Sequence, residues 1–462
     1  MNYNKSGIIL IINIEMRNST MDIILNDKKP KYLQIFDNIK EMINSNKLKA
    51  NEKLPSKRAL ALDLNVSLNT VINAYLLLLD EGYIYSKEKS GYYVTNQPII
   101  TIANKNNKIQ IESKNEIIYD FSTENVSNFN SKNYYKIMKE ILIEEKYLNK
   151  TNILGDITLR RAIKKHLETN RNINISEGQI IIGSGMEMLE DILPLCEIDN
   201  ITLENPGYHK LELLNNRLSY KLNYQEVDDE GVTIPVYRTI LYTTPFNQFP
   251  TGIKMSISRK KALASYLIKT NSIIIEDDFD AEFRINSNPT TSIINLAPNN
   301  VIFFSTFSTT LFPGLRIAYT ILPKYLIEKY INRYQGYSNN VPTLNQLSLA
   351  KFIDEGYYAS HLNRKKRDYI KKRSYIIELL NKYNIKHDEK KNYLSIIIEL
   401  NVNKEVDFIE KLRINKIKLI PLSNYDKYHN SSNKYILGYT NIKYEDIEKG
   451  ISLIKSIASK HY

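Results

Sequence analysis

Between residues 28 and 97 the apolar positions recur first at helical and then at strand spacing. Tyr32, Ile35, Phe36, Ile39, Met42 and Ile43 fall three or four apart, the stripe of an amphipathic helix. Pro55 then precedes a candidate N-cap, Ser56, and a short helix is predicted to reach Leu64. After a break at Asn65-Val66, Ser67 caps a third helix with the apolar stripe Val71, Ala74, Tyr75 and Leu78, ended by Gly82. "YIYS" and "GYYV" predict two short strands joined by a Lys-, Ser- and Gly-bearing turn.

Residues 98–117 mix Asn, Lys and Ser without periodicity and read as a linker. From Ile118 to the C-terminus, helical stretches alternate with the apolar runs "QIIIGSG", "TILYTTP", "SIIIEDD", "VIFFSTF" and "IAYTIL". That alternation predicts an α/β domain with a largely parallel sheet. Ligands in such sheets bind beyond the strand C-termini. The loops "GSGME", "TTPFNQFPTG", "EDDFDAEFR" and "STFSTTLFPGLR" would gather there.

Composition sharpens this division. A chain of 462 residues exceeds one core, so two or more domains are expected. The formal charge of +12 suits a polyanionic partner. Residues 28–97 carry 11 Lys+Arg against 7 Asp+Glu, a net +4. The single cysteine, Cys196, excludes an internal disulfide framework, and the scattered histidines give no metal-ligand spacing. "GIILIIN" (Gly7–Asn13) is too short to span a bilayer and lacks signal-peptide flanks, so a cytoplasmic location is expected. Residues 1–27 read as an N-terminal extension, with Met21 as an alternative start to Met1.

Helix, helix, turn, helix and hairpin is the winged helix-turn-helix plan, in which the third helix enters the DNA major groove. The bland alternative is a structural helical domain with a solvated basic face. The stretch from "YLQIFDNIKEM" to "KSGYYV" resembles the DNA-binding domain of GntR-family transcription regulators along its whole length. That resemblance implies double-stranded DNA as partner, met by Arg58, Ser67, Asn69, Thr70 and the wing glycine Gly91. Leu68 stands where the family often has arginine, which alters the expected grip on guanine or phosphate.

The loops of the large domain, with "GDITLRRAIKKHL" and "ENPGY", resemble fold-type I aminotransferases, which hold pyridoxal 5′-phosphate. Together the two parts resemble the MocR-type branch of GntR regulators. The fold class implied is α/β: a winged helix-turn-helix (28–97) followed by a fold-type I PLP-dependent aminotransferase-like domain (118–462). By that resemblance Asp277 matches the pyridinium partner and Tyr208 the stacking ring. Ser184 and Gly185 match the phosphate turn, and Thr306, Ser308 and Arg316 the second phosphate wall.

The Schiff-base lysine position is Thr309, and no lysine lies between Val301 and Pro323. A hydroxyl forms no imine, so no catalytic residue is assigned and cofactor binding is expected to be non-covalent at most. Phe279 stands in place of a tyrosine that bonds the ring 3-oxygen. Met186 replaces a hydroxyl residue, and Asn247 a frequent histidine. "NKYILGYTNI" lacks an arginine for a substrate carboxylate, leaving Lys434 as its nearest cation. The expected function is a transcription regulator, a homodimer by resemblance, whose large domain senses an effector such as a B6 vitamer or amino acid without transamination. The alternatives are a working aminotransferase with a DNA-binding appendage, and a dimerisation scaffold without ligand.

Overall fold

A computed structural model describes residues 21, 23–26, 29–96, 117–122, 129–144, 149–283, 291–388, 394–428 and 433–459. Most of the expected N-terminal extension and linker lies outside these residues. The chain forms two compact units, Met1–Glu112 and Ser113–Tyr462.

The first unit builds α1 (Lys31–Asn44), α2 (Lys57–Asp63), α3 (Leu68–Asp80), β1 (Ile84–Lys87) and β2 (Gly91–Val94). Ile35, Phe36, Ile39 and Ile43 bury one face of α1, and Val71, Ala74, Tyr75 and Leu78 bury the expected stripe of α3. Both faces meet in one core that also takes Met21, Ile23, Leu54 and Leu60. Ser56 and Ser67 cap α2 and α3, accepting the amides of Ala59 at 3.1 Å and Thr70 at 3.2 Å. Each cap stabilises its helix by about 1 kcal/mol. Tyr75 ties α3 to the approach to α2, donating its hydroxyl to the Pro55 carbonyl at 2.9 Å. β1 and β2 pair antiparallel, with Ile84 opposite Val94 and Lys87 opposite Gly91.

The second unit is organised by an eight-stranded sheet among the described residues. Its strands are β3 (Ile180–Gly183), β4 (Asn200–Asn205), β5 (Lys221–Asp228), β6 (Gly231–Val232), β7 (Ile240–Thr243), β8 (Ile273–Asp277), β9 (Val301–Thr306) and β10 (Ala318–Ile321). They lie in the order β3-β10-β9-β8-β7-β4-β5-β6. β9, β8, β7, β4 and β5 run parallel, whereas β10 is antiparallel to both β9 and β3 and β6 turns back on β5. The largely parallel sheet was expected; the reversed β10 was not. Strands β3, β7, β8 and β10 are wholly buried, which is why they read as unbroken apolar runs.

Helix α4 (Ile157–Arg171) packs beside this sheet, capped by the Asp156 carboxylate on the Thr158 amide at 2.7 Å. A smaller antiparallel sheet follows, made of β11 (Lys386–His387), β12 (Ser395–Glu399), β13 (Ile420–Pro421) and β14 (Lys434–Gly438) in the order β11-β12-β14-β13. No helix among the described residues is long and apolar enough to cross a membrane.

Candidate functional site: a basic helical face and a cavity

In the first unit, Arg58 is exposed in the opening turn of α2, and Leu68 and Asn69 in that of α3. The Ser67 and Thr70 hydroxyls lie 2.8 Å apart, so both side chains are committed to the cap. Asn69 and Leu68, the latter 40% exposed, are the groups α3 presents outward at its start. The wing is held to α2 and to the segment before it by charge on aromatic faces. Lys57 Nζ lies 5.0 Å from the Tyr92 ring centroid and Lys53 Nζ 6.0 Å from that of Tyr93. Gly91 opens β2 at φ +125°, where a Cβ would come 3.3 Å from Lys53 Cε. Lys87 and Lys89 extend the basic surface along the exposed wing.

In the second unit, the loops after β3, β4, β7, β8 and β9 enclose a cavity of about 400 Å³. Gly185, Tyr208, Asp277, Thr306, Ser308 and Arg316 all line it, together with Thr309, Phe279 and Met186. Ser184 is the member of the expected set that does not. Lys434 is exposed on β14 opposite Glu399, away from this lining; its segment contributes Thr440 instead. The cations that line the cavity are Lys210 and Arg316.

The wall after β9 shows how the loop works. Thr306 Oγ1 donates to the Ile317 carbonyl at 3.3 Å and accepts the Ser308 amide at 3.1 Å, closing the base of the loop. Ser308 Oγ is buried with no hydrogen-bond partner. A buried hydroxyl left so costs about 1–3 kcal/mol, which an entering oxygen ligand recovers. Thr309 Oγ1 donates to the Phe279 carbonyl at 2.6 Å, so its hydroxyl is held by the neighbouring loop. Pro313–Leu315 form a short turn, and Arg316 follows in the left-handed region at φ +49°.

Gly185 lies at φ +145°, and a Cβ there would stand 2.5 Å from both Arg316 Nη2 and Glu187 Oε2. The absence of a side chain lets those two groups close over the turn. They pair at 3.0 Å, and Lys210 Nζ lies 3.3 Å from the other oxygen of Glu187. Glu187 stays ionised: burial opposes this, but a backbone amide, Lys210 and Arg316 outweigh it and hold its carboxyl below the usual range. Neither Glu187 nor Lys210 was expected from the sequence, although Glu187 ends the quoted loop "GSGME" and Lys210 stands two residues beyond "ENPGY".

The opposite wall is aromatic and acidic. Phe249 makes edge contacts with Tyr208 at 5.7 Å, Phe279 at 6.4 Å and Tyr425 at 4.7 Å between centroids. Asp277, at the end of β8, accepts the Tyr242 hydroxyl and the Phe279 amide, the latter at 3.1 Å. Burial, with the adjacent Asp278 and nearby Glu204, still pushes its carboxyl up to about 7. Asp280 accepts Asn247 Nδ2 at 3.1 Å and is pushed up to about 8, again chiefly by burial. Asn247 therefore supports Asp280 and does not itself line the cavity. Asp278 accepts a forked pair of hydrogen bonds from Arg171 of α4, whose Nη2 reaches its Oδ1 at 2.6 Å.

Residues 31–94 match the family of bacterial regulatory proteins, gntR family, and residues 116–431 match aminotransferase class I and II. The chain is 31% identical to YdeL, an uncharacterized HTH-type transcriptional regulator of Bacillus subtilis (strain 168), over 95% of this chain and 98% of the relative. It is 26% identical to MocR, a probable rhizopine catabolism regulatory protein of Rhizobium meliloti, over 92% and 93% of the two chains. Among solved structures, an archaeal alanine:glyoxylate aminotransferase superposes with a TM-score of 0.68 at 20% identity, covering 76% of this chain and 92% of the other.

Proposed function

The chain belongs to the gntR family of bacterial regulatory proteins, in the MocR-like arrangement with an aminotransferase class I and II domain, and from this we propose a DNA-binding transcription regulator that holds a phosphorylated ligand without turning it over. Arg58, Asn69 and the wing around Gly91 contact duplex DNA, while Ser67 and Thr70 set the start of α3. The second unit is the sensor, and pairs with a second copy of itself so that two helices α3 read two half-sites.

The cavity fits the phosphate and ring nitrogen of pyridoxal 5′-phosphate. The orphaned Ser308 hydroxyl, the Arg316 guanidinium and the Gly185 turn suit three anionic oxygens, and Asp277 suits a protonated ring nitrogen. Tyr208 and Phe249 supply apolar faces for the ring. That group supplies an aldehyde and an electron-withdrawing ring. Thr309 offers it no amine, and the amine of Lys210 is engaged by Glu187. Phe279 gives no hydrogen bond from its side chain. The observation that carries the reading is the Thr309 hydroxyl turned onto the Phe279 carbonyl beside an intact anion wall.

The test combines two titrations on the full chain. Binding to its bound genomic fragment should fall steeply with salt, since phosphate contacts release counterions. Titration with pyridoxal 5′-phosphate should saturate, and borohydride should leave no adduct on a cavity residue. A reduced adduct located in the cavity would overturn the non-covalent reading, and a monomeric mass at micromolar concentration the paired one.

A further inference from the structure

The Glu187 carboxylate holds both cations of the cavity, and its position bears on which anion can enter. Arg316 Nη2 lies 3.0 Å from Glu187 Oε2, and Lys210 Nζ 3.3 Å from Oε1. Gly185 leaves the space in which this occurs. Ser308, which lines the same cavity as Arg316, has its Oγ buried and unpartnered. An anion entering this end therefore meets one unsatisfied hydroxyl and an arginine already neutralised from within the chain.

We propose that Glu187 is an internal competitor that sets an affinity threshold, which a phosphate monoester passes and a carboxylate does not. The proposal rests on the reading of the cavity as a ligand site and names the ligand's anionic end. A free carboxylate that displaced Glu187 from Arg316 would exchange one carboxylate pair for another and still lose its freedom of motion. A phosphate monoester brings a third oxygen and up to a second charge, so it can satisfy Ser308 as well as Arg316. Glu187, half exposed, then swings toward solvent with Lys210 as its remaining partner. Amino acids are thereby disfavoured as occupants of this end, and phosphorylated pyridine compounds favoured over their dephosphorylated forms.

Calorimetric titration of the full-length chain and its Glu187→Gln variant with pyridoxamine 5′-phosphate, pyridoxamine and glutamate tests this; these probes lack the aldehyde that would react with surface lysines. Removing the competitor should tighten pyridoxamine 5′-phosphate binding by up to about five-fold and leave pyridoxamine unchanged. Glutamate should bind the wild type weakly and gain in the variant. Equal or weaker binding of pyridoxamine 5′-phosphate by Glu187→Gln would overturn the competitor role while leaving the ligand site standing. Failure of both proteins to bind any probe would overturn the ligand-site reading and the competitor with it. Glu187→Asp, which keeps the charge on a shorter arm, should fall between the two; if it exceeds Glu187→Gln, charge competition is not the cause.

Discussion

The winged unit and the cavity hold their working side chains in opposite ways. Arg58, Leu68 and Asn69 project from a convex helical face, each exposed and fixed mainly by its own helix turn. Asp277 and Asp280, from the end of β8 and the loop after it, and the Ser308 hydroxyl from the loop after β9 are buried, each set by the groups packed around it. Exposed groups act one at a time, and losing one removes only its own contact. Buried groups share a low-dielectric environment, so each change alters the charge state or pairing of the rest. The difference predicts large, coupled effects in the cavity and modest, additive ones on the helical face.

The largest effect should be on stability against pH. Asp277, Glu204 and Asp280 are raised to about 7, 7 and 8, principally by burial. A carboxyl with a raised value in the fold binds its proton more tightly there than in the unfolded chain. Its contribution is fully present below the unfolded value and is lost as pH rises toward the folded one. The second unit should therefore lose stability between about pH 4 and 8. Asp280→Asn should flatten that slope by roughly a few kcal/mol, and Asp277→Asn similarly but not additively. Denaturation of the full chain at pH 5 and pH 8 checks both; an unchanged slope in the double variant would break the contrast between the regions.

Next in size is the anion wall. Arg316→Ala should weaken pyridoxamine 5′-phosphate binding by about 1.5–3 kcal/mol, the worth of a hydrogen bond to a charged group. Calorimetry should show pyridoxamine itself unaffected. On the helical face, Arg58→Ala and Asn69→Ala should each weaken DNA binding by about 1–3 kcal/mol. Their double variant should add within about 0.5 kcal/mol. Fluorescence anisotropy on one DNA fragment measures all three, and strong coupling would show that the exposed face does not act residue by residue. The smallest effect should come from Ser67→Ala, which removes the α3 cap at a cost of about 1 kcal/mol in unfolding of the first unit.

Legibility in the sequence followed the same division. The α3 stripe and both serine caps are written within a few residues of one another, and the structure places them where the spacing indicated. The β5 strand, next to the sheet edge, was missed because its side chains are mostly half exposed and break any apolar run. The reversed β10 was missed because direction is set by pairing and not by composition. Glu187 and Arg316 stand 129 residues apart, and only the closing of two loops over Gly185 makes them partners. Asp280 is one of several acidic residues in the quoted loop after β8; burial beside Asn247 gives it its character. Most residues named by resemblance line the cavity, whereas the pairing of Glu187 with Arg316 and Lys210 emerged from packing.

Arg316 closes the anion wall from a left-handed backbone, and that has a consequence for what natural or laboratory selection would do to it. A side chain in this conformation is strained by roughly 1–2 kcal/mol, which glycine would relieve. Against that relief stand about 0.5–1 kcal/mol of added chain freedom for glycine and under about 1 kcal/mol for the half-exposed pair with Glu187. The terms nearly cancel, so Arg316→Gly should leave the melting temperature close to unchanged. Folding alone supplies no pressure to keep an arginine there. A library of this chain sorted only for thermal endurance should drift freely at position 316, whereas one sorted for response to a phosphorylated ligand should hold it fixed.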